Sequence, residues 1–158
     1  MKNQHQLVMF VCTGNICRSP MAEYLFRQYN KQHNSRWDAV SAGLAAGYGQ
    51  AASPEAVQAL KECRIDLTAH RSRPVSTELV QSAAVIVGMT GAHCEQLARQ
   101  FPDAAQKTFL LMSFAAPGGR LMDLVDPIGM SVDIYRKTRD AINRAMPGLY
   151  EFVSGLNL

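Results

Sequence analysis

The chain has 158 residues, 47% of them apolar, and a formal net charge of +3. That length fills one core and is short for two, so the whole chain, 1–158, is expected to form a single domain. Lys and Arg are scattered, which argues against a nucleic-acid or membrane surface, and the apolar run 7–11 is too short for a signal-peptide core or a membrane span; a cytoplasmic protein is expected.

In chain order, Leu7 to Val11 reads as a buried strand, because it is wholly apolar and ends at a Gly-containing turn. A helix is predicted from about Ser19, with Pro20 in its first turn and Met21, Leu25, Phe26 and Tyr29 facing inward; it fades by Asn34-Ser35. Trp37 to Ser41 reads as a second strand, and the Gly- and Ala-rich stretch Ala42 to Ser53 as an exposed loop. Ser53-Pro54-Glu55 opens another helix with Val57, Leu60 and Cys63 at helical spacing. Thr68 to Pro74 is a connection, and Thr77 to Gln81 a short helix.

The second half continues the alternation. Ala83 to Val87 is an apolar strand, Ala92 to Phe101 a helix and Lys107 to Met112 a last strand before Pro117-Gly118-Gly119 breaks the pattern. Ser131 to Phe152 closes the chain as a helix, interrupted at Pro147-Gly148. Strands without polar alternation, separated by helices, imply an α/β fold: a doubly wound parallel sheet covered on both faces. The four cysteines, Cys12, Cys17, Cys63 and Cys94, are too few for a disulfide framework.

In such a sheet the ligand crevice lies beyond the carboxyl ends of the strands, where the loop Cys12-Thr13-Gly14-Asn15-Ile16-Cys17-Arg18-Ser19-Pro20 leaves the first strand. Successive backbone N–H groups feeding a helix N-terminus make an anion cradle, and Gly14 is expected to give the turn. Cys12 at its mouth is placed to act as a nucleophile, its thiolate favoured by the helix end, by Arg18 and by a hydrogen bond from Ser19. Arg18 presents a planar fork that grips two phosphoryl oxygens. The departing oxygen needs a proton, and Asp126, held on a loop by Pro127, is the candidate donor.

The loop resembles the signature of the low-molecular-weight protein tyrosine phosphatases. Its seven specified positions would arise by chance about once in a billion windows at ~5% per residue. The likeness continues through Ser41-Ala42-Gly43, Thr68 to Pro74, Val87-Gly88-Met89-Thr90 and Asp126-Pro127. It implies a flavodoxin-like fold with a four-stranded parallel sheet and helices on both faces. It also implies Cys12 as nucleophile, Arg18 as phosphate ligand, and Asp126 as general acid and then base, without metal or cofactor. Thr13, Gly14, Asn15, Ile16, Cys17 and Ser19 would surround the phosphate, with Asn15 and Ser41 holding the loop's shape and Cys17 resembling a thiol that pairs reversibly with Cys12. The implied partner is a phosphorylated protein or peptide, with phosphate or another oxyanion in the loop, acted on by a monomer or weak dimer. Ile128 stands where an aromatic residue often walls the pocket, the paired tyrosines of eukaryotic members are absent, and Ala84 replaces a common acidic residue.

Two substrate classes compete. The stretch from Asp126 to Asp140 looks more like the bacterial protein arginine phosphatase branch, whereas Ile16 is the usual residue of the tyrosine branch. The arginine-specific branch carries Thr at that place. An apolar side chain suits a phenyl ring and leaves guanidinium donors unpaired, so phosphotyrosine is expected and phosphoarginine is the alternative. A thiol-dependent arsenate reductase needs relay cysteines after the third strand, where only Cys94 lies near. A non-catalytic anion-binding module would not require the whole set Cys12, Arg18 and Asp126.

Blander readings apply elsewhere. Cys63 and Cys94 are packing residues, and Cys17 serves equally well as core or as a redox partner. Asp123, Asp133 and Asp140 are capping or solvated charges, and His70, Arg71 and Arg73 belong to a solvated connection. Tyr48 is expected to rim the pocket or simply to sit on the surface.

Overall fold

The computed structural model describes residues 6–115, 122–156 and 158. Four parallel strands form one sheet: β1 (Gln6–Cys12), β2 (Trp37–Gly43), β3 (Val85–Gly88) and β4 (Thr108–Leu110), in the order β2-β1-β3-β4. Among the described residues five α-helices accompany them: α1 (Arg18–Gln32), α2 (Pro54–Lys61), α3 (Thr77–Ser82), α4 (Gly91–Gln100) and α5 (Val132–Ser154).

The continuous apolar runs are explained by burial on both sides. Val8, Phe10 and Cys12 of β1 project into a large core with α1, α2 and α5, while Met9 and Val11 project into a second core with Val80 of α3 and Leu97 of α4. Period-two alternation therefore separates two apolar faces rather than an apolar and a polar one. In β3 the same division sends Val85 and Val87 to the first core and Ile86 to the second.

Three boundaries depart from the sequence reading. The third strand starts at Val85, because Ala83 closes α3 and Ala84 spends its N–H on Leu7. The last strand shrinks to Thr108–Leu110, bounded by 3-10 turns at Pro102–Lys107 and Leu111–Phe114. The final helix runs through Pro147 without a break. Pro147 costs a helix about 3 kcal/mol. Ala145, Met146, Leu149 and Val153 on either side of it are fully buried, and each large apolar side chain offsets about 1.5–3 kcal/mol. The Pro117-Gly118-Gly119 break and the N-terminal Lys2 to His5 lie outside the described residues.

The sheet order puts the carboxyl ends of β1 and β3 side by side, with register pairs Phe10↔Val87 and Val11↔Gly88. The chain leaves β1 towards β2 and leaves β3 towards β4, so a crevice opens between the two exits. Leu124 adds itself to this edge through its N–H on the Met89 carbonyl at 3.0 Å. Among the described residues no helix is long and apolar enough to cross a membrane.

Candidate active site

The loop between β1 and α1 is built around Asn15. This residue is fully buried and takes φ +57°, a left-handed conformation that Asn tolerates better than most side chains. Its amide nitrogen donates to Ser19 Oγ and to Ser41 Oγ, each at 2.9 Å, and its Oδ1 accepts the Arg73 N–H at 3.0 Å. The Asn15 carbonyl accepts from His70 Nε2 at 2.7 Å.

This arrangement corrects two expectations. The turn is made by Asn15, not Gly14, where a Cβ would meet only Ile16 at an ordinary 3.8 Å. The glycine that the loop does require is Gly43 of β2, whose Cβ would stand 2.5 Å from the Thr13 carbonyl. Nor is the stretch from His70 to Arg73 merely a solvated connection. His70 and Ser72 are buried, and burial pushes the His70 imidazole below its ordinary value. Arg71 alone of the three basic residues keeps the expected exposed position.

Cys12 ends β1 almost wholly buried, with Sγ 2.8 Å from Ser19 Oγ and accepting the Asn15 N–H at 3.3 Å. Ser19 Oγ accepts from Asn15 and keeps its own hydrogen, which it can give to the sulfur once Cys12 is a thiolate and has no hydrogen to donate. Arg18, at the first turn of α1, donates from Nη1 to the Leu124 carbonyl at 3.0 Å and sets Nη2 3.5 Å from Asp126 Oδ2. Asp126 is about half exposed, and its Oδ1 accepts the Ile128 N–H at 3.1 Å, which fixes the carboxyl in an Asx turn. A thiol, a buried guanidinium and a carboxyl 114 positions away from the thiol thus meet at one strand edge.

The remaining candidates divide. Thr13 is exposed beside Cys12, and Ile16 is partly buried against the main core. Cys17 points away from solvent, its Sγ 3.2 Å from Tyr135 Oη and 3.4 Å from Ser53 Oγ, and burial pushes its thiol up. Ile128 is 52% exposed near Asp126. Tyr48 is exposed and lines an open groove with Tyr24, Arg27 and Arg71. Asp123 caps α4 by accepting the Gly91 N–H at 2.7 Å. Cys94 packs under Gly88, leaving no room there for a Cβ.

One neighbour escaped the sequence reading. His93, near the start of α4, reaches Thr13 Oγ1 with Nε2 at 2.9 Å. Burial and the nearby Arg18 charge push its pKa down to about 4, against the pull of Asp123 and Asp126. The available signal was Thr90-Gly91-Ala92-His93, a cap-like spacing just after the third strand, with His in the place usually held by Glu or Gln.

Comparison with known proteins supplies the family. The chain matches the family model described as low molecular weight phosphotyrosine protein phosphatase over residues 7–155. It is 40% identical over 139 residues to the protein-arginine-phosphatase of Bacillus subtilis (strain 168), across 88% of this chain and 91% of that protein. The low molecular weight protein tyrosine phosphatase of T. tengcongensis superposes with a TM-score of 0.86 at 38% identity, covering 93% of this chain and 99% of that one. A mutant of the arginine phosphatase YwlE with a phosphorylated active-site serine superposes with a TM-score of 0.89 at 37% identity, covering 95% and 97%. With the match extending from the first strand to the last helix, the chain belongs to the low-molecular-weight phosphotyrosine protein phosphatase family.

Proposed function

We propose that this protein removes phosphate from phosphotyrosine in proteins or peptides through a cysteinyl-phosphate intermediate. The observation that carries the reading is the setting of Cys12, whose sulfur accepts the Asn15 N–H and lies 2.8 Å from the Ser19 hydroxyl, a donor for the thiolate, while Arg18 holds Asp126 at the same edge. Donors aimed at sulfur stabilise negative charge there, which is the form that attacks phosphorus.

In the first step the Cys12 thiolate attacks phosphorus, and the bond from phosphorus to the tyrosine oxygen breaks. Asp126, protonated, gives that oxygen its proton. Arg18 and the amides of residues 13–18 hold the nonbridging oxygens as charge shifts among them. In the second step Asp126 takes a proton from water as the water attacks phosphorus, and Cys12 leaves as thiolate with inorganic phosphate as product. An incoming phosphate dianion competes with Asp126 for Arg18, which releases the carboxyl for its proton-carrying role. The same reading treats the chain as one cytoplasmic domain, a monomer or weak dimer needing no metal or cofactor.

Turnover of p-nitrophenyl phosphate and of a phosphotyrosine peptide tests it. The parent should release phosphate, Cys12→Ser should be inactive, and rapid quenching should trap phosphate on Cys12. A parent that binds phosphate yet releases no nitrophenol is an anion-binding module instead.

A second reading, phosphoarginine as substrate, is favoured by the relatives named as arginine phosphatases. Ile16 supports phosphotyrosine, since its apolar side chain offers guanidinium N–H groups no acceptor. Initial rates on matched phosphotyrosine and phosphoarginine peptides decide between them, and Ile16→Thr should move the ratio towards phosphoarginine.

A further inference from the structure

Thr13 and His93 come from the exits of neighbouring strands, the first from β1 and the second from the opening turn of α4 after β3. Their contact has a direction that the other ring nitrogen settles. Thr90 N–H donates to His93 Nδ1 at 3.2 Å, and a backbone N–H can only donate, so Nδ1 carries no hydrogen. The hydrogen of the neutral ring therefore sits on Nε2, and Nε2 donates to Thr13 Oγ1. The reciprocal bond from His93 N–H to Thr90 Oγ1, at 3.2 Å, completes a capping box that holds the ring on the first turn of α4.

Thr13 Oγ1 is thus an acceptor from His93, and its own hydrogen remains free to donate. Among the described residues that hydrogen has no protein acceptor. Thr13 adjoins Cys12 and is exposed at the mouth of the loop. Leu124, whose carbonyl takes the Arg18 guanidinium, gives its N–H to Met89, the residue before the Thr90 cap that holds His93, so the Thr13–His93 pair lies near the edge where Arg18 meets Asp126.

We propose that His93 is a positioning residue: by donating to Thr13 Oγ1 it turns the Thr13 hydroxyl into a hydrogen-bond donor for a phosphoryl oxygen of the substrate held over Cys12. The proposal rests on the phosphatase reading of the same loop. It assigns Thr13 a side-chain role beside its backbone one, and it gives α4, which holds no residue of the Cys12, Arg18 and Asp126 set, a part in the reaction. A neutral imidazole suits this task. It orients the hydroxyl without adding a second positive charge to compete with Arg18 for the dianion.

The test is a double-mutant cycle on p-nitrophenyl phosphate, with orthovanadate inhibition as an independent measure of oxyanion binding. Thr13→Val and His93→Phe should each lower kcat/KM by about ten- to a hundredfold, the range for a lost hydrogen bond to a charged group, and weaken vanadate inhibition in parallel. The double variant should be no slower than the worse single one. Thr13→Ser, which keeps the hydroxyl, and His93→Gln, whose amide nitrogen can replace Nε2 as donor, should recover most of the loss. Urea unfolding of every variant separates catalysis from folding. Losses that multiply in the double variant, or a His93→Phe enzyme with the parent's kcat/KM, overturn the proposal. A parent without turnover overturns the phosphatase reading before the cycle begins.

Discussion

Asn15 bears more of the loop's hydrogen bonding than Cys12, the candidate nucleophile to which it gives its N–H. Its side chain satisfies Ser19, Ser41 and the Arg73 N–H, all in a buried setting and at a positive φ. Asn15→Ala removes these three bonds, leaves the Arg73 N–H without its acceptor and places a Cβ-only side chain in a left-handed turn. An unpaired buried group costs about 1–3 kcal/mol and the turn adds about 1–2, so the variant should lose about 2–5 kcal/mol in urea unfolding. Its turnover should fall as well, since Ser19 is then no longer oriented towards Cys12. A variant as stable as the parent removes Asn15 from this role. The resemblance already assigned Asn15 and Ser41 to the loop's shape, because both stand in the sequence at recognisable motif positions. His70, Arg73 and His93 were not legible in that way. They reach the loop across 55, 58 and 80 positions, and which way a side chain faces on a connection depends on packing that periodicity does not encode. Asp126 is the intermediate case: Asp-Pro reads as a turn, and only the loop makes it the candidate proton donor. Asp126→Asn should slow phosphotyrosine hydrolysis by about a hundredfold or more, in the range for loss of a general acid, while leaving the fold intact because the carboxyl is half exposed. An equally fast Asp126→Asn enzyme shifts the acid elsewhere, with Asp123 the nearest rival.

At the scale of elements, the sequence was informative wherever an apolar run or a cap set the boundary. It misled where one element presses on another. The helix α5 persists through Pro147-Gly148 because the neighbouring turn at Leu111–Phe114 lies directly against it: a Cβ at Gly148 would come 2.3 Å from the Phe114 carbonyl oxygen. Gly148 is thus a contact surface rather than a helix breaker, and the dipeptide that reads as an interruption is a docking notch. Gly148→Ala must push the turn and β4 away, which should cost about 1–3 kcal/mol by overpacking. Gly47→Ala is the control. Its Cβ meets nothing within 4 Å, and restricting the unfolded chain should leave stability unchanged or raise it by about 0.4–1 kcal/mol. Equal urea midpoints for the two variants remove the notch. β4 was overdrawn for a related reason. Only three residues pair with β3, and the flanking apolar residue Leu111 is buried from a 3-10 turn instead, so hydrophobicity alone marked burial and not strand.

For the whole molecule, composition fixes the net charge but not how stability responds to pH, because that depends on which titratable groups the fold buries. His93 is held at about 4 against an ordinary 6.5, and His70 is also pushed down by burial. Between those limits the unfolded chain binds a proton at His93 that the folded chain refuses, so stability falls as pH drops from 6.5 towards 4. For His93 alone the loss is on the order of 3 kcal/mol. Glu23 acts in the opposite sense. Burial raises its carboxyl above 4.5, so the folded state is the better proton acceptor there and gains some stability on acidification. On the alkaline side burial raises Cys17 and Cys94 above 9.0 and Tyr24 above 10.0, so stability present below those values is lost as the unfolded chain ionises first. Lys107, lowered by burial, opposes this with a single group. Urea midpoints should therefore be highest near pH 7–8 and decline on both sides. His93→Gln removes the largest acid-side contribution, since glutamine cannot be protonated in either state. Its midpoint should fall less than the parent's between pH 7 and 4.5, whereas Glu23→Gln should make the acid limb steeper. If His93→Gln loses as much stability over that interval as the parent, the imidazole is not held neutral, and Nδ1 is not the acceptor that gives the Thr13 contact its direction.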